Sequence, residues 1–322
     1  MASAADVPLR RTRAKTERGF AVAFAIMVAL LAAAPFLFYP VFLMQALCFA
    51  LFACAFNLLI GYVGLLSFGH ALFFGWASYV AAYAAKGWGS TPELAIAAGT
   101  VTAALLGGIA GFIAIRRQGI YFAMITLALA QMMYFFALRA PFTGGEDGIQ
   151  TVPVHRLFGL FDLSGEMRMY AFVLVIVLAA FLFIYRIINS PFGEVLQAIR
   201  ENEQRAVSLG YKTERYKLLA FVLSATLSGL AGSLKALVLQ FASLTDVHWT
   251  MSGQVVLMTL VGGLGTVFGP VAGAFLIVAM QNYLASFGEW VLVIQGAIFV
   301  FCVLAFRRGI VGEVASLLRL RL

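Results

Sequence analysis

Apolar residues run through the chain in long blocks separated by short polar connections. A bilayer core is about 30 Å thick, and a helix needs about 20 mostly apolar residues to cross it. Blocks of that kind predict membrane helices near residues 20–38, 41–60, 65–85, 93–115, 120–138, 170–188, 218–240 and 290–306. Between the last two lies an interrupted segment, 253–283. Its centre reads Gly262-Gly263-Leu264-Gly265-Thr266-Val267-Phe268-Gly269-Pro270, and glycine and proline at that density disfavour one continuous helix. A second irregular stretch, Gly61 to His70, precedes a helix of small residues.

A helix broken at membrane depth is tolerated only where protein or water satisfies the freed backbone groups. Paired interruptions in two halves of a chain therefore point to a translocation site. On this reading Gly64, Ser67, Gly69 and His70 face Gly262, Gly263, Gly265 and Thr266 across a pathway. The competing reading is close helix packing through glycine, and the sequence leaves both open.

The polar connection after the sixth block is unlike a plain linker. Ser190 can cap a helix, Pro191 suits its first position, and Gly210 can end it. Val195, Leu196, Ile199, Ala206 and Leu209 recur at helical spacing, and Glu201 and Arg205 are placed to pair on one face. Such a charged, rigid element between two spans is either a lever for a partner or an anchor on anionic lipid.

Composition agrees: 63% of the 322 residues are hydrophobic and 11% charged, which leaves no room for a separate soluble domain. The net charge of +8 sits at membrane edges rather than in basic runs interleaved with aromatics, so nucleic acid is not an expected partner but membrane lipid is. With the N-terminus inside and 253–283 folded back, 17 of the 22 Lys and Arg fall inside and 5 outside. A single crossing there would give 13 against 9, so two short helices or a re-entrant hairpin are expected, with both termini cytoplasmic. The first block could be cut at Ala32-Ala33-Ala34, but it continues through Phe36 and Phe38, which favours a retained helix.

The expected fold is an all-α, polytopic transmembrane bundle of about 8–10 segments with interrupted or re-entrant helices. Its parts are a basic tail (1–18), a transmembrane domain (19–307) and a second tail (308–322). Inside the transmembrane domain lie a cytoplasmic loop (189–217) and an outer, non-cytoplasmic loop (139–168). The latter contains Thr143, Gly144, Glu146 and Asp147.

Cys48, Cys54 and Cys302 lie in apolar runs, and His70, His155 and His248 are scattered, so neither disulfide nor metal chemistry is supported. No phosphate-binding loop is present, which excludes ATP hydrolysis by this chain. Asn57 and Gln131 read as interhelical hydrogen-bonders, and Lys235 is expected to snorkel toward the outer surface. No acid falls mid-span, which argues against an ion-coupled secondary transporter of small organic solutes, the chief alternative.

The segment Ser190-Pro191-Phe192-Gly193 through Ala198-Ile199-Arg200-Glu201-Asn202-Glu203 resembles the coupling loop of ABC importer permeases. It is followed by the re-entry Arg215-Tyr216-Lys217-Leu218-Leu219-Ala220-Phe221. Together with Asn57–Gly64, Leu66–Ala71, Thr143–Ile149 and Gly262–Pro270, it is similar to the branched-chain amino acid permease family, and closer to its LivM-type than its LivH-type subunits. Glu146 departs from the small polar residue common there.

The resemblance implies a bacterial inner-membrane heterodimer with a second permease, two cytoplasmic ATPases that hydrolyse the ATP, and a periplasmic solute-binding protein. It implies that Glu194, Arg200, Glu201, Asn202, Glu203, Arg205 and Gly210 meet the ATPases. It also implies that Thr143, Gly144, Glu146 and Asp147 form a docking surface for the binding protein. Branched-chain amino acids are the family's default substrates, with other amino acids, urea and small organic acids or amides as further possibilities.

Overall fold

The computed structural model describes residues 6–153, 162–163, 165–284, 288, 290–305 and 309–317. His155 and Arg156 of the long loop, and Arg307, Arg308, Arg319 and Arg321 near the end, lie outside the described residues. In chain order the helices are α1 (Asp6–Ala33), α2 (Pro40–Ile60), α3 (His70–Gly87), α4 (Pro92–Ala114), α5 (Ile120–Arg139), α6 (Glu166–Ile188), α7 (Pro191–Glu201) and α8 (Glu203–Ser208). There follow α9 (Thr213–Val238), α10 (Leu244–Val247), α11 (Trp249–Gly262), α12 (Gly269–Tyr283), α13 (Trp290–Ala305) and α14 (Gly309–Leu317). Two short strands, β1 (Ile149–Gln150) and β2 (Phe241–Ala242), pair antiparallel. Among the described residues six helices (α1, α2, α4, α5, α6 and α9) are long and apolar enough to cross a membrane. The all-α membrane bundle expected from the hydrophobic blocks is what forms.

The bundle is built around α2 and α9. In α2, 89% of the apolar window is buried, against 28% in α5. The outward faces of α4 and α5 instead carry Leu105, Ile109, Phe112, Met132 and Phe135, apolar side chains suited to lipid. Lipid tails are as apolar as leucine, so helices in a bilayer associate through close van der Waals contact, which small residues permit. The α9 face Ala225, Ser228, Gly229, Ala231, Gly232 and Ser233 is buried for that reason. A Cβ on Gly232 would strike the backbone of Phe74 in α3, and one on Gly107 of α4 would lie 2.5 Å from Ala225 Cβ. Gly232→Leu is therefore expected to destabilise the bundle by about 3 kcal/mol or more, read as a fall in melting temperature in detergent. Gly108→Leu, at a helix position with open space around it, should leave that temperature unchanged.

The interrupted segment resolves into α11 and α12, of 14 and 15 residues, or about 21 and 22 Å. Each is short of the ~30 Å hydrocarbon core. They fold back on one another: a Cβ on Gly273 of α12 would come within 2.8 Å of the Gly262 nitrogen of α11. Between them Gly263 (φ +127°) and Gly265 (φ +73°) take backbone conformations that residues with side chains avoid. This is the hairpin that the charge distribution favours over a single crossing.

At the opposite end of α9, Lys235 departs from expectation. It does not snorkel outward; its Nζ lies 2.6 Å from Asp246 Oδ2, with side chains 7% and 3% exposed. The strand pair turns the chain sharply after α9, and a capping box at Ser243 fixes α10 so that Asp246 points back at the lysine. Once a carboxylate is buried there, leaving the ammonium alone would be far costlier than pairing it.

Candidate functional site

The polar connection after α6 forms two helices rather than one. Ser190 Oγ accepts from the Gly193 N–H and starts α7, whose buried face is Gly193, Leu196 and Ile199. Asn202 breaks the helix at φ −158° and caps α8, its Oδ1 accepting from the Arg205 N–H at 3.0 Å. The break separates Glu201 from Arg205, and no ion pair joins them, contrary to the pairing expected of a continuous helix. Glu203 instead turns toward the bundle. Its Oε1 pairs with Lys217 Nζ of α9 at 2.5 Å and accepts from Thr213 Oγ1, while Oε2 accepts from Gln118 Nε2 at 2.8 Å. Gly210, at φ +90°, closes the element.

Arg200 carries the most informative contact. Its Nη1 donates to the carbonyl of Gly61, the residue that caps α2. The last carbonyls of a helix lack intrahelical donors and form the negative end of its dipole, so a guanidinium is well placed there. Arg200 also lies under Gly64, where φ is +81° and a Cβ would meet Arg200 Cγ at 3.1 Å. Its Nη1 is 3.4 Å from the position a Gly265 Cβ would take.

The two glycine-rich breaks meet at this same place. Asn57, one turn before the end of α2, donates from Nδ2 to Thr266 O at 2.9 Å and accepts on Oδ1 from the Gly265 N–H at 3.0 Å. Thr266 Oγ1 donates to Gly263 O and accepts from the Gly269 N–H, bridging the hairpin turn. The first break is satisfied in turn: Phe68 N–H donates to Thr126 Oγ1, Gly69 N–H to Ser67 Oγ, and Ala71 N–H to Ser252 Oγ. Beside it opens a groove of about 470 Å³, lined by Gly64, Leu66, Phe68, Ile120, Met124 and Leu127 among others.

The residues singled out in the sequence thus fall into groups. Glu194, Glu201 and Arg205 face outward from α7 and α8, while Arg200, Asn202 and Glu203 bind the bundle or hold the loop. Gly64, Gly263, Gly265 and Thr266 surround the Arg200–Asn57 junction or the turn beside it, and Gly262 packs against Gly269. Ser67 is buried next to the groove. His70 is fully buried, ringed by Phe56, Phe73 and Phe221. Its Nε2 meets Ser224 Oγ at 2.9 Å, and that hydroxyl donates onward to Ala55 O. Since the serine proton is committed, Nε2 is the donor, and the histidine ties α3 to α9 and α2.

In the long loop Gly144, Glu146 and Asp147 are exposed, but Thr143 is buried, its Oγ1 donating to the Ala137 and Ala140 carbonyls at the end of α5. Two contributors to the junction were not singled out for it in the sequence. Asn57 read only as an interhelical hydrogen-bonder, and Lys217 only as part of a basic edge; an amide inside an apolar run was the available signal.

The family model described as "Branched-chain amino acid transport system / permease component" matches residues 38–303. The chain is 27% identical over 288 residues to the high-affinity branched-chain amino acid transport system permease protein LivM of Escherichia coli, covering 82% of this chain and 68% of that protein. Its Salmonella typhimurium counterpart is 28% identical over 293 residues, with the same coverage. A probable branched-chain amino acid transport permease protein LivH of Methanocaldococcus jannaschii is 30% identical over 142 residues, 42% of this chain and 44% of that one. No solved structure matches. A match over most of the chain that takes in both glycine-rich breaks and the α7–α8 loop shows that the chain belongs to the branched-chain amino acid transport permease family.

Proposed function

We propose that this chain is the permease subunit of an ATP-driven ABC importer for branched-chain or related amino acids, moved by partner ATPases through α7 and α8. The observation that carries the reading is the Arg200 junction. One side chain of the exposed loop reaches the capping carbonyl of α2 at the point where both glycine-rich breaks meet. A push on the outward residues Glu194, Glu201 and Arg205 would reach the membrane helices through Arg200 and through the Glu203–Lys217 pair. The pathway would run along the groove beside Gly64, Ser67 and Gly69, with Gly262, Gly263, Gly265 and Thr266 held against the same junction. His70 braces the helices behind it. The apolar lining of the groove at Leu66, Phe68, Ile120 and Met124 suits an aliphatic side chain.

In this assembly the loop bearing α7–α8 and both termini are cytoplasmic, in the inner membrane. A second permease completes the channel, two ATPases supply the energy, and a periplasmic binding protein docks on Gly144, Glu146 and Asp147. ATP is hydrolysed by the partners and the chain needs no cofactor of its own. The test is mild purification of the tagged chain, followed by uptake of radiolabelled leucine, isoleucine and valine into proteoliposomes. Recovery of an ATPase pair with binding-protein-dependent uptake is expected. A lone chain giving gradient-driven uptake would replace this reading with that of a secondary transporter.

A further inference from the structure

The Lys235–Asp246 pair plays no part in the junction at the other end of α9, and packing does not require a charge there. Around it the chain makes an unusual closure. The turn after α9 carries β2, which pairs with β1 of the long loop: Ile149 opposite Ala242 and Gln150 opposite Phe241. Gly148 is wedged against the backbone of Ala242 and Ser243, so the exposed loop residues Glu146 and Asp147 are tied directly to the segment that bears Asp246. Residues on both sides of the ladder hold positive φ, Thr151 at +51° and Gln240 at +53°, conformations that cost free energy for residues with a Cβ. The capping box links Ser243 to Asp246, and Asp246 links to Lys235. α9 therefore has an ion pair at each end, Lys217–Glu203 with α8 and Lys235–Asp246 with this cap.

A second observation sits beside the pair. The hydroxyl of Tyr79 in α3 is buried without a hydrogen-bond partner, one turn along from Gly75, where a Cβ would lie 2.8 Å from the Asp246 carbonyl carbon. Native structures rarely leave such a group unsatisfied, and those that do call for an explanation. A free donor on α3, one turn from its contact with the segment that bears Asp246, is what a carboxylate with two resting places needs.

We propose that Lys235–Asp246 is a latch between the loop cap and α9. Docking of a partner on Glu146 and Asp147 shifts the β1–β2 ladder, Asp246 takes up the Tyr79 hydroxyl on one carboxylate oxygen while the other stays on Lys235, and the loosened pair lets α9 move against Glu203. The proposal deepens the importer reading and rests on it.

The test uses the whole complex, reconstituted with its binding protein, and measures ATP hydrolysis with and without that protein. Tyr79→Phe removes a group that makes no bond in the latched state, so abundance and unstimulated hydrolysis should match the wild type. Stimulation by the binding protein should nevertheless fall by roughly fivefold or more, the usual lower range for coupling between sites. The double variant Lys235→Met/Asp246→Asn removes both charges of the buried pair together, leaving no unpaired ion, and keeps a side-chain oxygen to accept from the Ser243 N–H. It should accumulate normally and lose stimulation altogether. Wild-type stimulation in Tyr79→Phe would overturn the latch whether or not the double variant accumulates, leaving the pair a static brace. If the wild-type complex itself shows no stimulation, the importer reading fails before the latch is reached.

Discussion

Arg200→Glu is expected to cut uptake by about 10- to 100-fold while the protein still inserts and accumulates. The reason is local. Arg200 donates to the Gly61 carbonyl at the negative end of α2, and a hydrogen bond from a charged donor is worth about 1.5–3 kcal/mol. At roughly 1.4 kcal/mol per factor of ten, that sets the scale of the loss. Glutamate does more than delete the bond, because it places a carboxylate against carbonyl oxygens that already lack donors. Arg200→Lys keeps the charge but loses the planar fork, and should fall between the two. If the chain works as the proposed importer subunit, hydrolysis by its partner ATPases should continue in Arg200→Glu, so the ratio of solute moved to ATP consumed is the quantity to measure. An unchanged ratio would mean that the loop contacts the bundle without driving it.

Asn57→Leu should give the largest loss of stability among single changes at the junction. Leucine fills a similar volume yet withdraws both the donor for Thr266 O and the acceptor for the Gly265 N–H. Each backbone group left unsatisfied costs about 1–3 kcal/mol, so a total of about 2–6 kcal/mol is expected for the two. It would be read as a lower melting temperature together with faster proteolysis between Gly263 and Phe268. Asn57→Asp keeps the acceptor but sets its other oxygen against Thr266 O, and should recover only part of the loss. Were both variants to melt like the parent, the two breaks would be joined by packing rather than by this amide.

Much of the fold was legible because bilayer thickness imposes a length on apolar blocks, and glycine and proline mark where a helix cannot continue. The hairpin of α11 and α12 follows from that and from the distribution of arginine and lysine. What the sequence could not show is which distant segments meet. Nothing in the spacing of Asn57, Arg200 and Gly265 says that they converge, since contact over so many intervening residues is decided by how whole helices pack. The break at Asn202 was hidden for a different reason. Asparagine inside an amphipathic repeat is compatible with a continuous helix, and only the pull of Lys217 on Glu203 shows why the chain restarts there. Lys235 misled for a third: a long basic side chain near a helix end normally reaches for water, and its partner Asp246 arrives only through the turn made by the strand pair.

The two ion pairs of α9 also fix its rotational phase. Eighteen residues separate Lys217 from Lys235, which is five turns at about 3.6 residues each, so both ammonium groups leave the helix on the same side. Adding or removing one residue between them would swing one lysine about 100° away from its acid while the other stayed in place. Changes of length in this helix are thus confined to whole turns, as with a gear that meshes at both ends.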